Sequence, residues 1–290
     1  MVDKLTLDIR PSPIAGAWYP GEAKQLRHEA AGYLDQSTQV EFSGEIKGLI
    51  LPHAGWFYSG LTAAHALKAI EGQSYQRVII ISPSHQAYRG HLLTSGHDAY
   101  QTPLGTIPVD HRFLNQLADI LTEKQVVLNP IRNDREHSIE IELPFLQYLL
   151  KDGFKLIPIM MLDQSLALAR MLADTLAALI TADSQEDKTL LIASSDLSHF
   201  FHQREANNLD HNLIEGLQNF DPAKFYQLKS SHSAEACGHG AMATVLLAAR
   251  KLGANQVTIA DYRTSGDISR DLNSVVGYVS AIISTDNGVD

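Results

Sequence analysis

The stretch LLIASSDLSHF, residues 190 to 200, begins as a continuous apolar run and then turns polar. A short run of successive apolar residues is typical of a strand that is buried on both faces of a sheet. Similar runs occur at 47–51, 77–81, 154–161, 257–260 and 275–283. Stretches with helical periodicity separate them, at 22–33, 61–70, 112–121, 139–150, 166–180, 207–217 and 241–252. This alternation predicts an α/β protein, a single domain over residues 1–290 with a central, mostly parallel or mixed β-sheet flanked by helices on both faces.

Composition and charge limit the class of protein. Of the 290 residues, 44% are hydrophobic and 19% are charged, as in ordinary globular proteins. The net charge of −10 predicts neither a nucleic-acid partner nor binding to anionic membranes. No apolar run approaches the roughly 20 residues that span a bilayer, and the opening MVDKLTLDIRPSP lacks the apolar core of a signal peptide. Together with a single cysteine, which excludes an intramolecular disulfide, these features predict a cytoplasmic protein.

Three of the predicted strands end alike, with a histidine just past the apolar run. KGLIL leads into Pro52 and His53, RVIII leads into a segment that ends at His85, and TLLIASS leads into Asp196 and His199. Open α/β sheets bind ligands beyond the carboxyl ends of their strands, so we expect these imidazoles to meet at one rim. Imidazole is the commonest protein metal ligand, and the recurrence predicts a metal or acid/base site. Any one of these histidines, taken alone, is more often a turn or capping residue.

Cys237 is the fourth candidate. It lies in the segment CGHG, directly before a strong helical pattern, so we expect its thiol near a helix amino terminus, where the dipole lowers a thiol pKa. The alternative is a small buried residue beside a glycine turn. Two histidines and one cysteine on one side of an ion leave positions open for substrate or oxygen, as a catalytic metal site requires.

Proton transfer is the role expected of His199, since a reference pKa of about 6.5 is easily tuned around neutrality. Asp196, three residues earlier, would orient that imidazole, or instead cap the following turn. His137 opens a helical pattern and could donate to a substrate from its first turn. A helix-start hydrogen-bonding pair with Glu140 is the equal alternative.

The motifs, taken together and in order, resemble those of the Memo family, whose bacterial and archaeal members are also called AmmeMemoRadiSam system protein B. They cover nearly the whole chain: AGAWYP at 15–20, LPHAGWFYSG at 51–60, SPSH at 82–85, TPLGTIPVD at 102–110, EHSIEIELPFLQ at 136–147, SSDLSH at 194–199, ACGHG at 236–240 and TSGD at 264–267. Each motif alone is weak, but the ordered set is specific for the family.

The resemblance implies the fold of the catalytic chains of class III extradiol dioxygenases, which use non-haem ferrous iron to open catechol rings. Carried over by motif, it implies His53, His85 and Cys237 as metal ligands. Those dioxygenases have a carboxylate where this family has the thiolate. The softer ligand favours copper or zinc and alters iron chemistry, so ring opening is not inherited with the fold. Fe(II) or copper is the expected metal, and zinc is the alternative.

The resemblance also implies that His199, with Asp196 beside it, is the counterpart of the dioxygenase acid/base histidine. It places Trp18 and Tyr58 along the cleft, and with His137, inferred above from the helical pattern, they are the predicted substrate contacts. Single aromatic residues are more often structural, and that alternative stays open for both.

Three functions are compatible with these residues. The favoured one is a metal-dependent oxidoreductase that acts on a phenolic or thiol small molecule. The second is an adaptor that binds a peptide or protein partner in the cleft, as implied by eukaryotic family members linked to receptor signalling and cell motility. The third is a zinc hydrolase, whose activity would persist without oxygen. The bacterial family name further implies pathway partners of the AMMECR and radical SAM types.

Overall fold

The computed structural model of the chain describes residues 7–183 and 188–286, so the first six residues of the amino-terminal stretch discussed above lie outside it. Within these ranges the strands are, in chain order, β1 (Ile9–Arg10), β2 (Ile46–Leu51), β3 (Arg77–Pro83), β4 (Leu92–Ser95), β5 (Ala99–Thr102), β6 (Gly105–Pro108), β7 (Leu128–Ile131), β8 (Lys155–Met161), β9 (Thr189–Ser194), β10 (His199–Phe201), β11 (Gln256–Thr264) and β12 (Val275–Ser284).

The helices of the same ranges lie between these strands. They are α1 (Ala23–Gln36), α2 (Trp56–Leu67), α3 (His111–Glu123), α4 (Leu143–Leu149), α5 (Leu166–Ala182), α6 (Gln203–Gln218), α7 (Pro222–Ser230), α8 (His239–Lys251) and α9 (Ser265–Ser269). None of the described helices is long and apolar enough to cross a bilayer.

The central sheet is mixed, with a parallel centre. Its strand order is β10-β12-β2-β9-β3-β8-β4-β7, and β11 also pairs with β12. The four strands β2, β9, β3 and β8 run parallel to one another, whereas β12 and β4 are antiparallel to their neighbours β2 and β8. A smaller sheet has the order β1-β5-β6. The predicted α/β class, with a mixed sheet and flanking helices, is confirmed.

Burial on both faces explains the continuous apolar runs. In β3 all seven residues are buried, and Ile79, Ile80 and Ile81 have no exposed surface although successive side chains point to opposite faces. Helix α8 packs against β2, β3 and β9, while α2 packs against β2, β11 and β12. The parallel centre therefore has little freedom to shift, because a slip by one residue would turn buried side chains towards the wrong face.

The helix predicted over 139–150 begins with a different kind of turn. The periodicity over 139–150 corresponds to a 3₁₀ turn at Glu140–Glu142 followed by the short helix α4. Pro144 lies in the first turn of α4, where its missing N–H needs no partner. The tighter turn before it belongs to the segment that carries the candidate residue His137.

Candidate metal centre

The candidate ligands follow strands that lie side by side. His53 follows β2 and His85 follows β3, and β9 lies between these two strands. Cys237 comes from the turn that precedes α8, whose N-cap is Gly238. Parallel pairing brings the carboxyl ends of the three strands to one rim, so residues far apart in sequence are neighbours there. The structure thus brings together the three residues that the sequence predicts as ligands.

The donor atoms are close enough to share one ion. One donor atom from each of His53, His85 and Cys237 lies within 4.8 Å of the others. His53 Nε2 is 3.2 Å from Cys237 Sγ, and the rings of His53 and His85 are 5.2 Å apart at 84°. With metal–nitrogen and metal–sulfur distances of about 2.1 and 2.3 Å and angles of about 90 to 110°, two such donors on one ion are roughly 3.1 to 3.6 Å apart. The separation of His53 Nε2 and Cys237 Sγ lies within this range.

The hydrogen bonds of His53 select the nitrogen that faces the site. Ser194 Oγ donates its only proton to the Ser138 carbonyl at 2.6 Å. It therefore accepts from His53 Nδ1–H at 2.8 Å. The lone pair of His53 is left on Nε2, which is the atom that lies beside Cys237 Sγ. Metal-binding histidines are commonly oriented in this way, by a protein acceptor on the other ring nitrogen.

Glu136 performs the same task for His85. Its Oε1 is 3.0 Å from His85 Nδ1, and its Oε2 accepts the His85 backbone N–H at 2.6 Å. Burial would raise the pKa of this carboxyl, but the hydrogen bonds from His85 outweigh burial and hold the pKa well below its ordinary value. Glu136 is therefore an ionised acceptor that also raises the pKa of His85, and in the neutral ring the lone pair of His85 is left on Nε2. The sequence reasoning missed Glu136, although it directly precedes His137 in a motif that was singled out.

His137 lies against both candidate histidine ligands. Its ring stacks on that of His85 at 4.8 Å and 22°, and lies 5.4 Å from that of His53 at 85°. On the other side it contacts Trp18, with ring centroids 4.3 Å apart. Burial, only partly offset by Glu136, lowers the pKa of His137 to about 4. A neutral imidazole therefore lies beside the site, where a substrate contact was predicted.

The alternative pairing of His137 with Glu140 is not formed. Glu140 instead belongs to a fully buried cluster around Arg10, whose Nη1 donates to Glu140 Oε2 at 2.6 Å. Tyr19 Oη donates to Glu140 Oε1 at 2.8 Å. Arg10 also binds Asp134, with Nη2 2.8 Å from Oδ1, and donates to the Glu136 carbonyl at 2.7 Å. The cluster fixes the segment that carries Glu136 and His137.

The side chain of Asp196 bonds the turn after β2. Its Oδ1 accepts the His53 backbone N–H at 2.8 Å, and the Ala54 backbone also donates to it. Among the described residues it forms no hydrogen bond with His199. Burial, opposed by these backbone hydrogen bonds, raises the pKa of Asp196 to about 7. The side chain therefore holds the turn after β2 from its position after β9, the neighbouring strand.

The expected lowering of the Cys237 pKa is wrong. The residue does lie just before the helix α8, as the sequence predicts. Burial, reinforced by the nearby Asp196, nevertheless raises the pKa of the thiol well above its ordinary value. Because metal ligation requires the thiolate, a cation that binds here must displace the thiol proton.

Three predicted residues remain, which are His199, Trp18 and Tyr58. His199, at the start of β10, is half-buried, and its ring contacts that of Phe200. Trp18 and Tyr58 are 37% and 39% exposed. The Trp18 carbonyl accepts the N–H of Trp56, the first residue of α2, at 2.9 Å. Both aromatics are thus partly exposed, and Trp18 in addition contacts His137 beside the candidate ligands.

The donor set fits a transition-metal ion. One nitrogen of each imidazole and one sulfur lie within 4.8 Å of one another, and each imidazole is fixed by an acceptor on its Nδ1. A second group of donors, His85, Glu136 and His137, shares His85 with the first. In that group the Glu136 carboxylate already accepts three backbone N–H groups and the His85 ring. The first group is therefore the better candidate for a metal centre.

The fold and this site define an α/β protein with a candidate metal centre of two histidines and one cysteine at the carboxyl ends of parallel strands. The sequence model of the Memo-like protein family matches residues 10–282. The chain belongs to the Memo family.

Curated relatives agree with that assignment over nearly their full length. A MEMO1 family protein of Nitrosopumilus maritimus is 34% identical over 274 residues, covering 93% of this chain and 98% of the relative. A MEMO1 family protein of Methanobrevibacter smithii is 35% identical over 285 residues, with 94% and 99% covered. Among solved structures, the uncharacterized protein JW3007 from Escherichia coli K12 superposes with a TM-score of 0.53 at 15% identity, covering 83% of this chain and 100% of that one, which supports the fold alone.

Proposed function

We propose that the protein is a metal-dependent oxidoreductase whose metal is held by His53, His85 and Cys237. The hydrogen bonds of the two imidazoles support this most strongly, because Ser194 and Glu136 each occupy one Nδ1 and leave Nε2 available to a metal. A mixed imidazole and thiolate set suits copper or Fe(II), with zinc as the alternative. When bound, such a metal would supply one-electron chemistry towards oxygen or a bound phenol or thiol.

His199 is the proposed proton carrier of this site. Burial lowers its pKa, and a hydrogen bond to the Leu197 backbone and the charge of Glu235 oppose that shift. Its imidazole is therefore neutral near neutral pH and able to take a proton from a substrate. Trp18, against His137, would orient a flat substrate beside the ligands.

Metal content is the first test. The full chain would be purified without oxygen, and bound metal would be measured by mass spectrometry in the wild type and in the variants His53→Ala, His85→Ala and Cys237→Ala. We expect near-stoichiometric iron or copper in the wild type and loss in each variant. His211→Ala is the matched control, because His211 is exposed and bonds only the Asn207 carbonyl. No bound metal after anaerobic loading with Fe(II) or Cu(I) would refute the proposal.

Turnover is the second test. Oxygen consumption with a panel of phenols and thiols is expected from the metal-loaded wild type. His199→Ala should keep the metal and lose turnover, which separates its role from that of the ligands. Turnover of ester or amide substrates that continues without oxygen would instead establish the zinc hydrolase.

A second candidate function rests on exposed aromatic side chains next to the site. Phe57 is 67% exposed, directly after Trp56 at the start of α2, and Phe200 is 76% exposed, directly after His199. Exposed aromatic groups of this kind favour an adaptor that binds a peptide or protein, with AMMECR-type and radical SAM proteins as the proposed partners. Competition between such a partner and a small-molecule ligand would support this function. Partner binding unaffected by Trp18→Ala and Tyr58→Ala would count against it.

A further inference from the structure

A large groove lies at the end of the sheet opposite the candidate metal centre. It encloses about 870 Å³ and is lined where β3 and β8 begin, whereas the metal centre lies where the parallel strands end. The β5–β6 hairpin, the end of α4 and one side of α1 form its other walls. This volume is within the range of roughly 300 to 1,000 Å³ that is typical of small-molecule sites.

The lining of the groove is basic in a chain that is acidic overall. The whole chain has 23 Lys and Arg against 33 Asp and Glu. The groove has one acidic lining residue, Asp152, against four basic ones, which are Arg27, Arg77, Lys151 and Lys155. A local reversal of charge of this size concentrates anions in the groove and repels cations.

Arg77 is already paired with two aspartates, whereas the other three cations form no ion pair among the described residues. Its guanidinium binds Asp110 at 3.1 Å and Asp183 at 2.8 Å. Arg27, Lys151 and Lys155 have no ion-pair partner within residues 7–183 and 188–286. These three charges are therefore available to a ligand, while Arg77 helps to hold the wall.

Apolar side chains line the same groove, and its walls are fastened together. Leu104, Ile107 and Tyr148 are among its lining residues. Thr102 Oγ1 donates to Gln147 Oε1 at 2.5 Å, which ties the hairpin to α4. Since this hydrogen bond fixes the hairpin relative to α4 without a ligand, the groove is largely formed before anything binds.

We propose that this groove binds a phosphorylated small molecule of the nucleotide class. The phosphates would be held by Arg27, Lys151 and Lys155, and a flat apolar portion would lie against Tyr148 and Leu104. This site is separate from the candidate metal centre and does not depend on the oxidoreductase proposal.

The test is a calorimetric titration of the metal-free full chain. ATP, inorganic pyrophosphate and adenosine are each titrated at low and at moderate salt. We expect saturable binding of ATP, weaker binding of pyrophosphate and little of adenosine, and the ATP affinity should fall as salt rises. The double variant Lys151→Gln, Lys155→Gln should weaken ATP binding by roughly tenfold or more, since it removes two charged hydrogen-bond donors.

A matched double variant separates a site from general charge. Lys224 and Lys251 are exposed lysines on α7 and α8 that do not line the groove. Lys224→Gln, Lys251→Gln removes the same net charge and should leave the ATP affinity within about twofold. The proposal is overturned if ATP shows no saturable binding, or if both double variants lose affinity equally. Pyrophosphate that binds as tightly as ATP would overturn the nucleotide class.

Discussion

Replacing Arg10 by Met should strongly destabilise the fold and disturb the candidate metal centre. Arg10 is 1% exposed and binds two buried carboxylates, those of Asp134 and Glu140. It also donates to the Glu136 carbonyl at 2.7 Å. Met fills a similar volume, so the change removes charge and hydrogen bonds with little change in packing.

The magnitude follows from the groups left behind. Without Arg10, Asp134 and Glu140 remain buried with no cation beside them, since both are paired to this one guanidinium. Removing one partner of a buried ion pair costs about 3 to 5 kcal/mol. Because native proteins are stable by only about 5 to 15 kcal/mol, the variant would lose a large share of its free energy of unfolding.

Urea denaturation measures the change in unfolding free energy, and thermal unfolding should show a fall in Tm of roughly 5 to 8 °C. Arg132→Met is the matched control, because Arg132 pairs with Asp8 but is 58% exposed, and an exposed pair contributes at most about 1 kcal/mol. Arg10→Lys keeps the charge but loses the forked geometry, so we expect an intermediate loss. A loss for Arg10→Met no larger than that for Arg132→Met would refute the reasoning.

Three further predictions concern single residues. Glu136→Gln should weaken metal binding by about 10- to 100-fold in a chelator competition, because it replaces the ionised acceptor of His85, and unchanged affinity would contradict that role. Phe200 has a φ of 67° and a ring that is 76% exposed, so Phe200→Gly should raise the unfolding free energy by about 0.5 kcal/mol in urea; a loss would show that the ring is needed for folding. Burial would raise the pKa of Asp110, but hydrogen bonds from the Phe113 backbone and from Arg77 lower it below its ordinary value. The ionised carboxylate therefore stabilises the fold above the unfolded pKa, and this contribution is lost as pH falls through the folded pKa. Asp110→Asn should therefore cost stability at neutral pH, and the two unfolding curves should converge in acid; a constant difference at all pH values would exclude the charge as its cause.

The sequence was sufficient to predict the strands that carry the ligands. Strands β2, β3 and β9 are apolar at consecutive positions because both of their faces are covered, and that pattern is visible without a structure. The polar residues that follow them, including His53 and His85, then had to meet at one rim. The helix after Cys237 was equally clear, since alanine, methionine and leucine, which favour helices, dominate about three turns after the glycines.

The residues that orient the ligands could not be predicted in the same way. Glu136 bonds to His85 across 51 positions, and Arg10 bonds to Glu140 across 130. No periodic pattern links such pairs, because they are joined by the packing of loops rather than by strand or helix geometry. The sign of the Cys237 pKa shift was missed for a related reason: burial depends on the surrounding tertiary structure, whereas a helix start can be read locally.

Asp196 forms hydrogen bonds to two of the candidate ligands, His53 and Cys237. Its side chain accepts the His53 N–H at 2.8 Å, while its own N–H donates to Cys237 Sγ at 3.2 Å. The Cys237 N–H in turn donates to the Asp196 carbonyl. The short distance between His53 Nε2 and Cys237 Sγ is therefore set by the end of β9 and does not require a bound metal.

His85 is fastened separately, and this divides the centre into two parts. Its orientation depends on Glu136, whose carbonyl is held by Arg10, so it depends mainly on a loop and a buried ion cluster. Ser194 at the end of β9 bonds the same loop, but at the Ser138 carbonyl. Substitution of Arg10 or Glu136 should consequently displace His85 first, while His53 and Cys237 stay in place. A metal that then remains bound with one imidazole fewer, as judged by its spectrum, would distinguish this two-part centre from one that collapses as a unit.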